Sequence, residues 1–255
     1  MKAVILAGGF GTRLSEETAL RPKPMVEVAG RPLLWHVMTI YARHGIRDFV
    51  VLGGYKVDFI RQYFLNYTRS LSDFTIDLAS GEVTWQRAEA EPWRVTVLDT
   101  GPDTMTGGRL KRAKEFIGND TFCLTYGDGV SDVDISALIA FHRAKGKTCT
   151  VTAVAPPGRF GVLGLSPDGE EVLTFREKDQ VDVGLINGGF FVCEAGVFDV
   201  IDGDSQPFEQ EPMNRLVEQG QLAAYRHSGF WQAVDTVRDK QVLEAVCAKG
   251  APWLA

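Results

Sequence analysis

The first fourteen residues constrain this chain more than any other stretch: the aliphatic run K-A-V-I-L at 2–6 leads straight into A-G-G-F-G-T-R-L at 7–14. The run reads as a short buried strand stopped by Gly8 and Gly9. A glycine-rich turn after a first strand lets backbone N–H groups approach phosphate oxygens with no Cβ in the way. A Walker loop would need GK[ST], whereas Gly11 is followed by Thr12 and Arg13. A dinucleotide fingerprint would open directly into a helix through a third glycine, which residues 9–14 do not supply. What remains is a loop carrying Arg13, followed by Lys23 between Pro22 and Pro24, a segment expected to be stiff and extended. An arginine fork suits a pyrophosphate and a lysine suits a single phosphoryl group. The alternative is a tight turn with surface cations.

The strand is followed by a regular alternation. Residues 32–44 predict a helix with Pro32 in its first turn and Gly45 as its stop, 48–52 a strand, and 58–67 a helix with Asp58 as N-cap. That order belongs to a parallel sheet with crossover helices. From 73 to 99 the period becomes two: Phe74, Ile76 and Leu78, then Val83 and Trp85, then Val95 and Val97, with Ser80-Gly81 between the first two runs marking a hairpin beside the main sheet. Residues 107–115 predict a basic helix, 121–126 a buried strand ending at Gly127-Asp128-Gly129, 135–145 a helix and 148–155 a strand. Short strands at 172–175, 185–193 and 222–226 alternate with helices near Ala195, Glu211 and Arg238. The expected fold class is α/β: a doubly wound, mostly parallel sheet with a β-hairpin insertion and an α+β C-terminal half in the same unit.

The 255 residues, 45% hydrophobic and 24% charged, suffice for a real core, and a net charge of −6 argues against a nucleic-acid partner. No apolar run reaches the about 18 residues of a membrane span, and the N-terminal run does not read as a secretory segment, so a cytoplasmic protein away from membranes is expected. Cys123, Cys149, Cys193 and Cys247 contain no CxxC pair and read as buried thiols. The histidines lack zinc spacing, and His36 and His44 read as packing or surface residues.

Carboxylates add to the loop. Asp128 stands at the carboxyl end of a parallel strand, where ligands collect in open α/β sheets, and Gly127 and Gly129 leave room for a metal and a phosphate. On its own it reads equally as a turn residue. Asp235 follows an apolar run and precedes a helix, and Asp132 and Asp134 read as turn and N-cap residues. Asn187-Gly188-Gly189 interrupts an apolar strand, which points to close approach by a ligand. Glu177-Lys178 is, by itself, an ordinary exposed pair.

With these residues in view, GGxGTRL…PKP resembles the sugar-1-phosphate nucleotidyltransferase family, whose members join a nucleoside triphosphate to a sugar 1-phosphate and release pyrophosphate. T-Y-G-D-G-V-S-D-V-D, F-R-E-K, I-N-G-G-F-F-V and F-W-Q-A-V-D-T resemble later family segments, so the likeness covers nearly the whole chain. L-W-H-V-M, G-G-Y-K, Y-F-L-N-Y and T-M-T-G-G-R-L-K-R are similar to the branch that takes CTP and glucose 1-phosphate, while Phe10, Val57 and Ala233 depart from its pattern. The resemblance implies nucleotide contacts from Leu6, Ala7, Gly8, Gly9, Phe10, Gly11, Thr12, Arg13, Lys23, Thr104, Arg109 and Gly127. It implies sugar-phosphate contacts from Glu177, Lys178, Asn187, Gly188 and Gly189, and Mg²⁺ held by Asp128 and Asp235. Arg13, Lys23 and Asp128 become the catalytic groups; Lys111, Arg112 and Lys114 are left as a solvated helix face. The single domain 1–255 then divides into a nucleotide-binding part, 1–155, and a sugar-phosphate part, 156–255. A homo-oligomer joined through the hairpin is also implied. A thymidylyl- or uridylyltransferase, or a regulatory subunit that binds a nucleotide sugar without turnover, stays open as an alternative.

Overall fold

The computed structural model describes residues 1–86, 90–156, 162–166, 168, 171–176 and 184–254. Its main elements run β1 (Lys2–Ala7), α1 (Leu33–Arg43), β2 (Asp48–Gly53), α2 (Val57–Leu65), β3 (Arg94–Asp99), α3 (Thr106–Arg112), β4 (Phe122–Tyr126), α4 (Ile135–Lys145), β5 (Cys149–Val154), β6 (Phe191–Cys193), β7 (Leu222–His227) and α5 (Val237–Cys247). The strands form one sheet in the order β7-β5-β6-β4-β1-β2-β3, with Ile186–Asn187 paired to the end of β5. Neighbours are parallel except β6, which runs against both β5 and β4. The expected α/β class with a mostly parallel sheet is what forms, and strands from both halves of the chain share it.

The period of two along β1 builds both layers. Ala3, Ile5 and Ala7 pack with Leu33, Val37 and Leu243 on one face, while Val4 and Leu6 pack with Leu110, Phe122 and Leu216 on the other. A strand buried on both sides is uniformly apolar, which is why no polar residue interrupts 3–7. Among the described residues, no helix is long and apolar enough to cross a membrane.

Several local expectations are corrected. Helix α2 begins at Val57 rather than Asp58, and the residue before it, Lys56, is left-handed at φ 52° with no side-chain cap. Asp58 sits in the first turn and pairs with Arg61 at 2.8 Å. The start moves because Val57 packs onto Gly53, where a Cβ would lie 2.3 Å from Val57 Cγ2. The helix also stops at Leu65, leaving Tyr67–Leu71 as a separate turn of helix. Of the three alternating runs, Phe74–Ile76 and Val83–Trp85 form the hairpin, whereas Val95 and Val97 belong to β3 in the main sheet.

The basic face after Arg109 is exposed, as expected, but its side chains are partnered. Lys111 Nζ donates to the carbonyls of Ile201 and Asp202 at 2.6 and 2.9 Å, Arg112 pairs with Asp204 at 2.6 Å, and Lys114 lies over the Phe198 ring. Gly107 and Gly108 let that loop approach; a Cβ on Gly108 would sit 2.4 Å from the Asp204 Cα. Cys123, Cys149 and Cys193 are buried thiols, but Cys247 is only half-buried on α5.

Candidate active site

Register fixes where the loops meet. Leu6 lies opposite Leu52 on one side and Tyr126 on the other, so the chain leaves β1, β2 and β4 at one edge of the sheet. That edge is the carboxyl end of parallel strands, the usual place for a ligand in this architecture. A cavity of about 490 Å³ opens there, and its wall includes residues 6–13, Lys23, Thr104, Arg109, Gly127 and Asp128. Every residue assigned to the nucleotide from the sequence thus lines one space. Pro102, Met105, Thr106 and Tyr126 line it too, and nothing in residue type or spacing singled them out.

Arg109 is buried and holds this wall together. Its Nη1 donates to Gly53 O, Thr100 Oγ1 and Gly101 O, and its Nη2 to Gly8 O and Pro102 O, all between 2.7 and 3.1 Å. One guanidinium therefore ties the loops after β1, β2 and β3 to α3. Burial lowers its pKa, with Arg112 adding to the shift, but an arginine stays charged throughout the accessible range. The same contact explains two glycines. A Cβ on Gly8 would lie 2.3 Å from Arg109 Cζ, and one on Gly54 would lie 2.2 Å from its Nη1. Gly8 is thus required by a side chain behind the loop, whatever approaches from the front.

Lys23 departs from the extended segment expected of it. Pro22 is extended, but Lys23–Met25 closes a 3₁₀ turn through Met25 N–H to Pro22 O at 2.8 Å. The turn buries Lys23 and aims its Nζ between two carboxylates, 2.6 Å from Asp128 Oδ2 and 2.7 Å from Asp235 Oδ1. Burial by itself would lower the lysine pKa; Asp128 and then Asp235 outweigh it and the net shift is upward. Arg13 completes the cluster, its Nη1 2.8 Å from Asp235 Oδ2 on a side chain 74% exposed.

Asp128 and Asp235 are 107 residues apart in numbering and meet through strand pairing. Gly129–Ser131 runs antiparallel to Trp231–Ala233, Ala233 lies opposite Gly129, and Val234 N–H donates to Asp128 O at 2.9 Å. A capping box at the start of α5 then sets the backbone of Asp235: Asp239 accepts from Asp235 N–H at 3.1 Å and from Thr236 N–H at 2.9 Å. Asp239 was not singled out in the sequence, although T-x-x-D ahead of a helix is a visible capping signal. Among the described residues, no third His, Cys, Asp or Glu joins the two carboxylates in a metal-sized group. Two carboxylates on one cation-filled point fit Mg²⁺, which takes one or two protein oxygens and completes its shell with phosphates and water.

On the far side, Asn187 Nδ2 donates to Tyr126 Oη at 3.2 Å, its Oδ1 accepts from Gly189 N–H at 2.8 Å, and Trp231 Nε1 donates to Gly188 O at 2.7 Å. Gly188 packs against Val154, where a Cβ would lie 2.7 Å from Cγ1, so packing alone already calls for that glycine. Burial and the neighbouring Glu209 carboxylate push the Tyr126 phenol far above its ordinary pKa, so it stays protonated and able to donate. Glu177 and Lys178 lie outside the described residues.

The sequence profile described as nucleotidyl transferase matches residues 2–245. The glucose-1-phosphate cytidylyltransferase of Salmonella typhi is 53% identical over 255 residues, covering 99% of this chain and 98% of that protein. A probable glucose-1-phosphate cytidylyltransferase of Bacillus subtilis (strain 168) is 46% identical over 240 residues, covering 94% and 93%. Among solved structures, HddC from Yersinia pseudotuberculosis superposes with a TM-score of 0.70 at 22% identity, covering 96% of this chain and 98% of that one, a likeness of fold.

Proposed function

This chain belongs to the nucleotidyl transferase family, and we propose that it transfers the cytidylyl group of CTP to glucose 1-phosphate, giving CDP-glucose and pyrophosphate. The observation that carries the reading is the Lys23–Asp128–Asp235 cluster on the rim of the glycine-loop cavity, in a chain that matches such enzymes along its full length. A phosphate oxygen of glucose 1-phosphate attacks the α-phosphorus of CTP, and the bond to the bridging oxygen of the leaving pyrophosphate breaks. The nucleophile is already an anion near neutrality, so no general base is needed. The barrier lies in bringing two polyanions together, and the protein lowers it by positioning and by fixed positive charge.

In this scheme Arg13 and the amides of residues 8–12 take the β- and γ-phosphates. Lys23 swings from its carboxylates to the α-phosphate, and Asn187, Gly188, Gly189, Glu177 and Lys178 receive the sugar phosphate. Asp128 and Asp235 would hold Mg²⁺, which when bound neutralises phosphate charge and draws the reactants together. Residues 1–155 then serve mainly the nucleotide and 156–255 mainly the sugar phosphate, in a cytoplasmic enzyme with access to CTP. Incubation with glucose 1-phosphate, Mg²⁺ and each triphosphate in turn tests the assignment. Pyrophosphate release is expected to be much the fastest with CTP, and faster release with dTTP or UTP would move the protein to another branch of the family.

The hairpin supports an oligomer. Phe74 lies opposite Trp85 and Ile76 opposite Val83, and all four are exposed on a two-stranded ribbon that is marginal alone in water. Light scattering at micromolar concentration is expected to give a multiple of the chain mass, reduced by Trp85→Lys. A monomer for the unaltered chain would reject the assembly.

A further inference from the structure

Phe10 stands in the glycine loop with its side chain lining the cavity. The residue is 48% exposed. Single exposed aromatics need no explanation, but this one has a built support. The Phe10 and Tyr55 rings lie 5.2 Å apart, inclined at 47°. Tyr55 is itself anchored twice: its N–H donates to Gly8 O at 3.1 Å and its hydroxyl to Thr18 O at 3.3 Å. Lys56 Nζ lies 5.2 Å from the centre of the Tyr55 ring. Tyr55 and Lys56 come from G-G-Y-K, whose two glycines already accommodate Arg109 in the cavity wall. Phe10 sits between Gly9, where a Cβ would meet nothing within 4 Å, and the left-handed Gly11 at φ 65°, whose carbonyl accepts from Leu14 N–H and Thr18 Oγ1.

The chemistry of the ring selects what it meets. An aromatic face carries negative charge density and repels phosphate oxygens, whereas a nucleobase stacks on it through dispersion and its own π-system. The triphosphate is served by Arg13, Lys23 and the backbone amides of the loop, so the flat, uncharged part of the ligand is the part that suits the Phe10 ring. We propose that Phe10, backed by Tyr55, is the stacking platform for the base of the nucleotide. This rests on the reading that a nucleoside triphosphate occupies the cavity.

Calorimetric titration of CTP and of ribose 5-triphosphate, both with Mg²⁺, into the full chain and into Phe10→Ala separates the base from the rest of the ligand. Loss of one stack is expected to weaken CTP about 5- to 150-fold, with ribose 5-triphosphate binding unchanged and CTP binding restored in Phe10→Tyr. Unchanged ribose 5-triphosphate binding also shows that the variant is folded. If Phe10→Ala binds CTP as tightly as the unaltered chain, the platform is wrong. If it loses both ligands equally, Phe10 shapes the loop and does not stack. Failure of the unaltered chain to bind CTP would instead remove the nucleotide reading itself, and the platform with it.

Discussion

Lys23→Met is expected to lower turnover by about 10²- to 10³-fold, the range seen when one donor to a developing phosphate or oxyanion charge is removed, while tightening the binding of a divalent metal in the absence of nucleotide. The two effects have one cause. The Lys23 ammonium is hydrogen-bonded to Asp128 and Asp235 at 2.6 and 2.7 Å, so a cation arriving between those carboxylates has to displace it. A charge-assisted hydrogen bond is worth about 1.5–3 kcal/mol, so removing the competitor should strengthen Mn²⁺ or Mg²⁺ binding about tenfold or more. Methionine is unbranched and one atom shorter, so the packing is largely kept while the charge and its hydrogen-bond donors are lost. Asp128→Asn should cost a similar factor in turnover but weaken metal binding. Equilibrium metal titration beside steady-state kinetics distinguishes the cases. An unchanged metal affinity in Lys23→Met would mean that lysine and metal do not share the two carboxylates.

Arg109→Ala is expected to destabilise the fold by at least about 3 kcal/mol and to raise the KM for CTP. Five acceptors on three loops lose the guanidinium. Gly8 O keeps Tyr55 N–H and Gly53 O keeps Thr100, and each of the others left unpaired costs about 1–3 kcal/mol before water repairs part of the loss. Gly8→Ala should be nearly as harmful by the opposite route, because its Cβ would enter the guanidinium at 2.3 Å. Since both changes strike the same contact, their costs should not add. In Arg109→Ala the space beside Gly8 is open, so the double variant should be little worse than Arg109→Ala, a coupling of about 2 kcal/mol in the cycle. Thermal unfolding of the four proteins measures it. Additive losses would show that Gly8 is a glycine for a reason other than Arg109.

Much of the architecture was legible because it rests on local pattern. Runs of apolar and β-branched residues gave β1, β2, β4 and β5, helical spacing closed by Gly45 gave α1, and Asp134 caps α4 as its position suggested, accepting from Ala137 N–H at 2.9 Å. Less was legible where packing overrode local preference. Val57 fits against Gly53 and draws the start of α2 back by a residue; the 201–204 loop docks on Gly107 and Gly108 and takes up the basic side chains beside them.

The candidate site divides along the same line. The order of residues within 6–13 and the prolines around Lys23 are properties of contiguous chain, and the expectation of a phosphate-handling loop needed no tertiary information. The charge partners are not contiguous. Lys23 reaches Asp128 because the parallel register sets the ends of β1 and β4 side by side, and Asp235 because the Trp231–Ala233 strand pairs beside Asp128 and the capping box of α5 holds its backbone. Arg109 is singled out in sequence only through the resemblance, as a nucleotide contact, and it is burial against three loops that makes it their common donor. Local interactions between neighbours in sequence are enough to specify strands, turns and caps. A cluster of opposite charges assembled from residues 23, 128 and 235 exists only once the sheet has closed, because the energy that holds it comes from groups the unfolded chain keeps far apart in water.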